Sequence, residues 1–192
     1  MMITQTELAV LDWIQANLRC GFLDTLATLV SGLAEYGALW IILTLGLIAY
    51  PKTRKVGIAA AIALVLELIT CSGIIKPLVA RPRPYVYRPE LELLVPQLKD
   101  FSFPSGHTAV SFAATCAMAA MRQRGWTMAL VISILIGLSR MYLFVHFPTD
   151  VLCGAVLGLL CGLAGAFLVR LGCRIIEKWK NEPPPSDPAP GQ

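Results

Sequence analysis

An all-α integral membrane helical bundle is the fold class that this sequence predicts, on three observations. Hydrophobic residues fill 56% of the 192 positions and charged residues only 15%, whereas soluble domains average about 45–50% apolar and about 25% charged. Mean hydropathy is +0.67. Apolar runs approaching the ~20 residues of a spanning helix recur along the chain, separated by short polar segments.

Each element follows from its run. Residues 55–79 and 126–145 give one run each, and 150–171 give a third, rich in the Gly and Ala that let helices approach closely. Residues 105–121 give a fourth, slightly short. Between residues 18 and 50 an apolar piece from Phe22 to Leu33 precedes a polar break at Glu35-Tyr36-Gly37 and a second apolar piece from Ala38 to Tyr50. This stretch reads as two helices, the first extended backwards through residues 8–20. A single long helix preceded by an interfacial N-terminal helix is the competing reading. The expectation is one domain over residues 1–180 with about six transmembrane helices. Residues 181–192 (NEPPPSDPAPGQ) read as a disordered Pro-rich cytoplasmic tail.

Charge sets the expected orientation. Lys52, Arg54 and Lys55 share one short loop, Arg122 and Arg124 another, and Arg170, Arg174, Lys178 and Lys180 follow the last run. The positive-inside tendency makes all three cytoplasmic, with an even number of spans between each and the next and both termini cytoplasmic. Segments 80–104 and 140–150 then face outward, yet they carry Arg81, Arg83, Arg88, Lys99 and Arg140. An anionic ligand supplies a reason for cations there. The net charge of +4 is modest, and no stretch reads as a nucleic-acid patch. The six cysteines fall mostly inside apolar runs with no C-x-x-C pair, so neither a disulfide framework nor a zinc site is expected. The N-terminus holds Glu7 and Asp12 and lacks a basic n-region, so it does not read as a cleaved signal peptide.

Three polar segments carry the chemistry. In KPLVARPRP, residues 76–84, Lys76 closes an apolar helix and Pro82 and Pro84 rigidify the exit. Arg81 and Arg83 are expected to point different ways along an extended strip, so that only one need face a site. In FSFPSGHT, residues 101–108, Pro104 suits the first turn of a helix. Ser105 and Gly106 then present free N–H groups, a natural anion site, with His107 beside them. In SRMYLFVHFPTDVLCG, residues 139–154, Pro148 marks a helix start, with His146 just before it and Asp150 in its first turn. A carboxylate there fixes one imidazole nitrogen and leaves the other free to attack. The chain has only two histidines, and both fall in these segments. Lys76, Arg83 and Arg140 supply three cations for a phosphate, two of them able to bind in a bidentate way. Charged side chains at spanning depth are costly, which favours a functional reading.

Taken together, Lys76–x6–Arg83-Pro84, Pro104-Ser105-Gly106-His107 and Ser139-Arg140–x5–His146–x3–Asp150 resemble the three signature motifs of the type 2 phosphatidic acid phosphatases, a superfamily that also includes the vanadium haloperoxidases. The match covers roughly residues 38–172 with no departure at the motif positions. The resemblance implies an all-helical bundle and a metal-free, cofactor-free phosphoryl transfer. It implies His146 as nucleophile, Asp150 as its orienter and His107 as general acid. Lys76, Arg83, Ser105, Gly106 and Arg140 are then the phosphate-binding set.

The linking segment 85–103 is apolar enough, through Leu91, Leu93, Leu94 and Val95, to lie at the membrane interface as a lid or as a plain connector. A lipid phosphate is the expected substrate, met at the extracytoplasmic face of a cell membrane. The small size resembles bacterial members that dephosphorylate undecaprenyl diphosphate. Phosphatidylglycerol phosphate, phosphatidic acid and a lipid phosphotransferase remain alternatives, since the motifs read the phosphate and not the lipid. A haloperoxidase and a transporter or idle membrane scaffold are the rival classes. Glu67, in the same run as Lys76, is expected to have a structural partner.

Overall fold

The computed structural model describes residues 2–181, which are helical between short connections and one long one, 80–105: α1 (Met2–Leu18), α2 (Gly21–Leu33), α3 (Ala38–Ala49), α4 (Arg54–Glu67), α5 (Lys76–Val79), α6 (Gly106–Ala120), α7 (Trp126–Tyr142) and α8 (Pro148–Asn181). A π-helical segment, Leu68–Ile75, joins α4 to α5. Asn181 closes α8, and the rest of the expected tail, 182–192, lies outside the described residues.

Small residues decide which helices meet at the centre. A Cβ at Gly158 of α8 would lie 2.4 Å from the Ala109 carbonyl oxygen of α6, and one at Gly162 would lie 2.7 Å from Cys116 Cβ. One at Gly165 would lie 2.3 Å from the Ala59 carbonyl oxygen of α4. Here α8 touches α6 and α4 backbone to backbone, the contact that glycine permits in a membrane. Alanines 59, 60, 63, 113 and 117 fill the same layer. Outward faces are apolar: Ile42, Leu68, Leu160 and Phe167 are all more than half exposed, a surface that lipid covers and water does not favour. Trp40 donates to Ser111 Oγ at 2.8 Å and so ties α3 to α6 inside the bundle. Glu67 is buried and takes Cys71 as its hydrogen-bond partner, a structural pairing.

The stretch 18–50 differs from the preferred expectation. Arg19 and Cys20 interrupt the helix, so α1 does not extend α2 backwards. The polar break falls where expected, with left-handed Tyr36 (φ 52) and Gly37 (φ 70), but it bends the chain by only 43°. α2 and α3 are therefore a bent pair of the kind that forms either one broken span, as in the competing reading, or a re-entrant loop. Among the described residues, Arg54–Tyr87 and Pro148–Asn181 are each long and apolar enough to cross a membrane, and the bent pair makes a third; Trp126–Tyr142 is a shorter apolar helix.

α1 lies across the ends of the other helices. Leu8 and Leu11 are buried with Tyr85, Leu143, Phe144 and Phe147. Gln15 donates to the Tyr142 carbonyl at 2.7 Å, and Asp12 pairs with Arg88 at 2.7 Å. The segment 85–103 packs beneath it through Leu91, Leu93, Leu94 and Val95. At the far end Arg170 bonds the Ala120 carbonyl, and the 34 residues of α8 extend about 50 Å at the usual helical rise. α1 and the last turns of α8 thus occupy opposite ends of the bundle.

Candidate active site

The site forms where α5, α6 and α8 begin or end beneath α1. Ala80, in the left-handed conformation (φ 47), stops α5 after Val79 and releases an extended strip that carries both arginines. Residues two apart in extended backbone share a face, so the expectation that Arg81 and Arg83 diverge fails: both reach the His146–Asp150 pair. Arg83 Nη1 donates to the Val145 carbonyl at 2.9 Å and lies 3.2 Å from His146 Nε2. Arg81 Nη1 donates to Asp150 Oδ1 at 2.7 Å, with its guanidinium 3.8 Å above the Phe147 ring.

Asp150 sits in the first turn of α8 and reaches back to cap it, accepting from Phe147 N at 2.8 Å. Ser102 Oγ donates to the same oxygen. His146 Nδ1 stands 3.6 Å from it, beyond hydrogen-bond range, so the expected orienting bond is a close approach here. A guanidinium can only donate, so His146 Nε2 accepts from Arg83 and the ring proton rests on Nδ1, toward Asp150. Burial, then the charges of Arg83, Arg140 and Lys76, hold the His146 imidazole well below its ordinary pKa of 6.5. It is a neutral base with an unprotonated Nε2.

α6 begins at Gly106 with Ser105 as its N-cap, so Pro104 precedes the helix instead of opening it. Ser105 Oγ accepts from Thr108 Oγ1 at 2.9 Å. The Ser105 N–H is not free, because it donates to the Asp150 carbonyl at 3.0 Å. The N–H groups of Gly106 and His107 come next and have no carbonyl ahead of them in the helix. Lys76 Nζ lies 3.8 Å from where a Gly106 Cβ would stand, so only glycine leaves that space open. His107 is within electrostatic reach of His146, Arg140, Lys76 and Arg83. Arg140 is buried at the end of α7; its Nη1 donates to Ser31 of α2 and its Nε has no partner. All eight residues expected at the site thus gather at one end of the bundle.

Sequence reading missed three members. Asp100 bridges two expected cations: it pairs with Lys76, and it accepts from Arg83 Nη2 at 2.6 Å. Burial alone would raise its carboxyl, but Lys76 and Arg83 together hold it down at about 2. Ser102 and Glu7 both serve the Asp150 network: Glu7 pairs with Arg81 and accepts from Thr149 Oγ1 at 2.6 Å. Asp100 and Ser102 carried a usable signal, being polar residues immediately ahead of the Pro104–His107 motif. Glu7 carried none, since it lies far away in sequence. Among the described residues no three His, Cys, Asp or Glu side chains group to hold a metal ion.

Comparison with known proteins shows the family and the fold. A model of the PAP2 superfamily matches residues 52–171. The chain is 34% identical over 137 residues to a protein of Sulfolobus acidocaldarius named undecaprenyl-diphosphatase, covering 70% of this chain and 66% of that one, just under two thirds of its length. It is 37% identical over 160 residues to the decaprenylphosphoryl-5-phosphoribose phosphatase of Mycobacterium tuberculosis, covering 81% of this chain and 86% of that one. The crystal structure of Aquifex aeolicus LpxE superimposes with a TM-score of 0.72 at 29% identity, covering 82% of this chain and 93% of that one.

Proposed function

Because the chain belongs to the PAP2 superfamily, we propose that it is a multi-pass membrane phosphatase that releases phosphate from a polyprenyl-linked phosphate, undecaprenyl diphosphate first among them. The observation that carries this reading is the meeting of a neutral, buried imidazole with a guanidinium at its attacking nitrogen, Arg83 Nη1 at 3.2 Å from His146 Nε2. Lys76 and Arg140 stand in the same cluster. Phosphoryl transfer needs mainly positioning and stabilisation of charge on the equatorial oxygens, and these three cations supply it from side chains alone.

In the proposed reaction the Nε2 lone pair of His146 attacks phosphorus. The P–O bond to the leaving group breaks, and His107, which takes up a proton as the anionic phosphate offsets the surrounding cations, passes that proton to the departing oxygen. Water then hydrolyses the phosphohistidine. Lys76, Arg83, Arg140, Ser105 and the Gly106 backbone hold the phosphoryl oxygens, and Asp150 steadies the ring as it becomes cationic. The reaction as written needs no metal, so activity should persist in EDTA.

The polyprenyl class rests on the two relatives, whose names carry undecaprenyl and decaprenyl chains. The site faces outward in this reading, because Lys52, Arg54, Lys55, Arg122 and Arg124 occupy the connections at the opposite end. That orientation keeps the end of α8 cytoplasmic and puts α1 on the outer side. Purified protein in detergent, offered undecaprenyl diphosphate, phosphatidylglycerol phosphate and phosphatidic acid in turn, tests the reading. Release from the first at the highest kcat/KM supports it. Release from none would remove it, and transfer to an added alcohol without net phosphate release would make the protein a phosphotransferase.

A further inference from the structure

Asp150 is fully buried, and its two oxygens are divided. Oδ2 faces His146 Nδ1 at 3.6 Å and accepts from Phe147 N and Ser102. Oδ1 is held by Arg81 Nη1. The other arm of Arg81, Nη2, pairs with Glu7 Oε2, while Glu7 Oε1 accepts from Thr149 N at 2.9 Å and from Thr149 Oγ1 at 2.6 Å. Glu7 is only 6% exposed and belongs to α1, outside the residues that the superfamily model matches.

One cation therefore lies between two anions on the Nδ1 side of the ring, so that side carries a net negative charge, opposite Arg83 at Nε2. A buried excess charge is unfavourable unless something neutralises it. The reaction supplies the neutralising partner. When Nε2 gives its lone pair to phosphorus, the ring keeps its proton on Nδ1 and becomes cationic. Attraction between that ring and the buried excess exists in the transition state and not in the resting enzyme, which is the condition for raising kcat.

We propose that Glu7 is a positioning residue for this chemistry, acting through Arg81: by sharing the guanidinium it prevents Arg81 from neutralising Asp150, and so leaves the Asp150 charge available to the His146 ring as phosphorus bonds to Nε2. The proposal rests on the phosphatase reading above. Without the Glu7 charge, the undivided charge of Arg81 would stand behind a ring that must itself become a cation.

The test uses the full-length protein with Glu7→Gln and Glu7→Asp, assayed on undecaprenyl diphosphate beside wild type. Gln keeps the shape and removes the charge; Asp keeps the charge and shortens the reach. The expected result for Gln is a kcat lower by ~10–100-fold, the range found for outer partners of metal-ligating imidazoles, with KM within about twofold. Inhibition by vanadate, which bonds the attacking nitrogen, should weaken by a similar factor. Inhibition by inorganic phosphate should not change, and Asp should recover part of the kcat. Wild-type kcat in Glu7→Gln would overturn the proposal. So would equal losses in Gln and Asp that track a fall in thermal stability. Should detergent unfold the Gln variant, isolated membranes normalised by immunoblot give the same ratio. A wild type that releases no phosphate from any of the three lipids removes the phosphatase reading itself, whereas an active wild type with an equally active Glu7→Gln removes only the role of Glu7.

Discussion

Arg83 approaches His146 as a hydrogen-bond donor, Nη1 to Nε2 at 3.2 Å. The same guanidinium holds the Val145 carbonyl and both the carbonyl and the carboxylate of Asp100. In the proposed reaction an incoming phosphoryl group draws this donor from nitrogen to oxygen, freeing the lone pair as it binds. Arg83→Lys keeps the charge but not the planar fork. Its kcat/KM should fall about 10²-fold or more in a steady-state phosphate-release assay, and a wild-type value would contradict this use of Arg83.

The two histidines should not be equivalent. Loss of a general acid typically costs about 10²–10⁴-fold, so His107→Ala should retain trace release. His146→Ala, which removes the atom that bonds phosphorus, should retain almost none. Near-wild-type turnover in both variants would refute the assigned roles.

Asp100 lies on Lys76 and Arg83, two of the proposed phosphate-binding cations, and stays ionised down to about pH 2. It competes with phosphate for Lys76 and Arg83. Asp100→Asn should therefore strengthen inhibition by inorganic phosphate by about tenfold, equivalent to ~1.4 kcal/mol. Weaker inhibition would mean instead that the carboxylate organises the two cations.

His146 also links stability to pH. Its folded pKa is depressed below 6.5, so an unfolded chain binds a proton that the folded one refuses. The stability is fully present above pH 6.5 and is lost as pH falls below it, by at most ~1.4 kcal/mol per pH unit for one group. Melting in detergent should drop between pH 7.5 and 5.5, and the drop should be smaller in His146→Gln. Equal drops would assign the effect to other groups.

Close helix contact predicts a contrast between two glycines of α8. A Cβ at Gly158 meets the Ala109 carbonyl at 2.4 Å, whereas one at Gly172 meets nothing within 4 Å. Gly158→Ala should cost about 1–3 kcal/mol from overpacking. Gly172→Ala should leave the melting temperature in place or raise it slightly, as Gly to Ala does inside a helix.

Much of this was legible because its signals are local. Apolar runs announced α4, α6, α7 and α8, and the Pro148 start placed His146 and Asp150 within one turn. What escaped the sequence depends on distance. Nothing near Glu7 says that α1 folds over the far end of the bundle, and only the tertiary arrangement brings it to Thr149. Arg81 escapes for a different reason: residues two apart in extended backbone share a face, so Arg81 and Arg83 lie together instead of diverging. Asp100 was hidden among exposed polar neighbours, since ion pairing with Lys76 shows only once the 85–103 segment has folded back.

The short strip after Ala80 imposes a parity on the chain. Arg81 and Arg83 serve adjoining atoms because a single residue, Pro82, separates them. An inserted or deleted residue at that point would rotate one guanidinium to the opposite side, stranding either the imidazole or the carboxylate. Length variation should therefore be tolerated in the long connection that follows, between Arg88 and Lys99, and refused in the three residues 81–83.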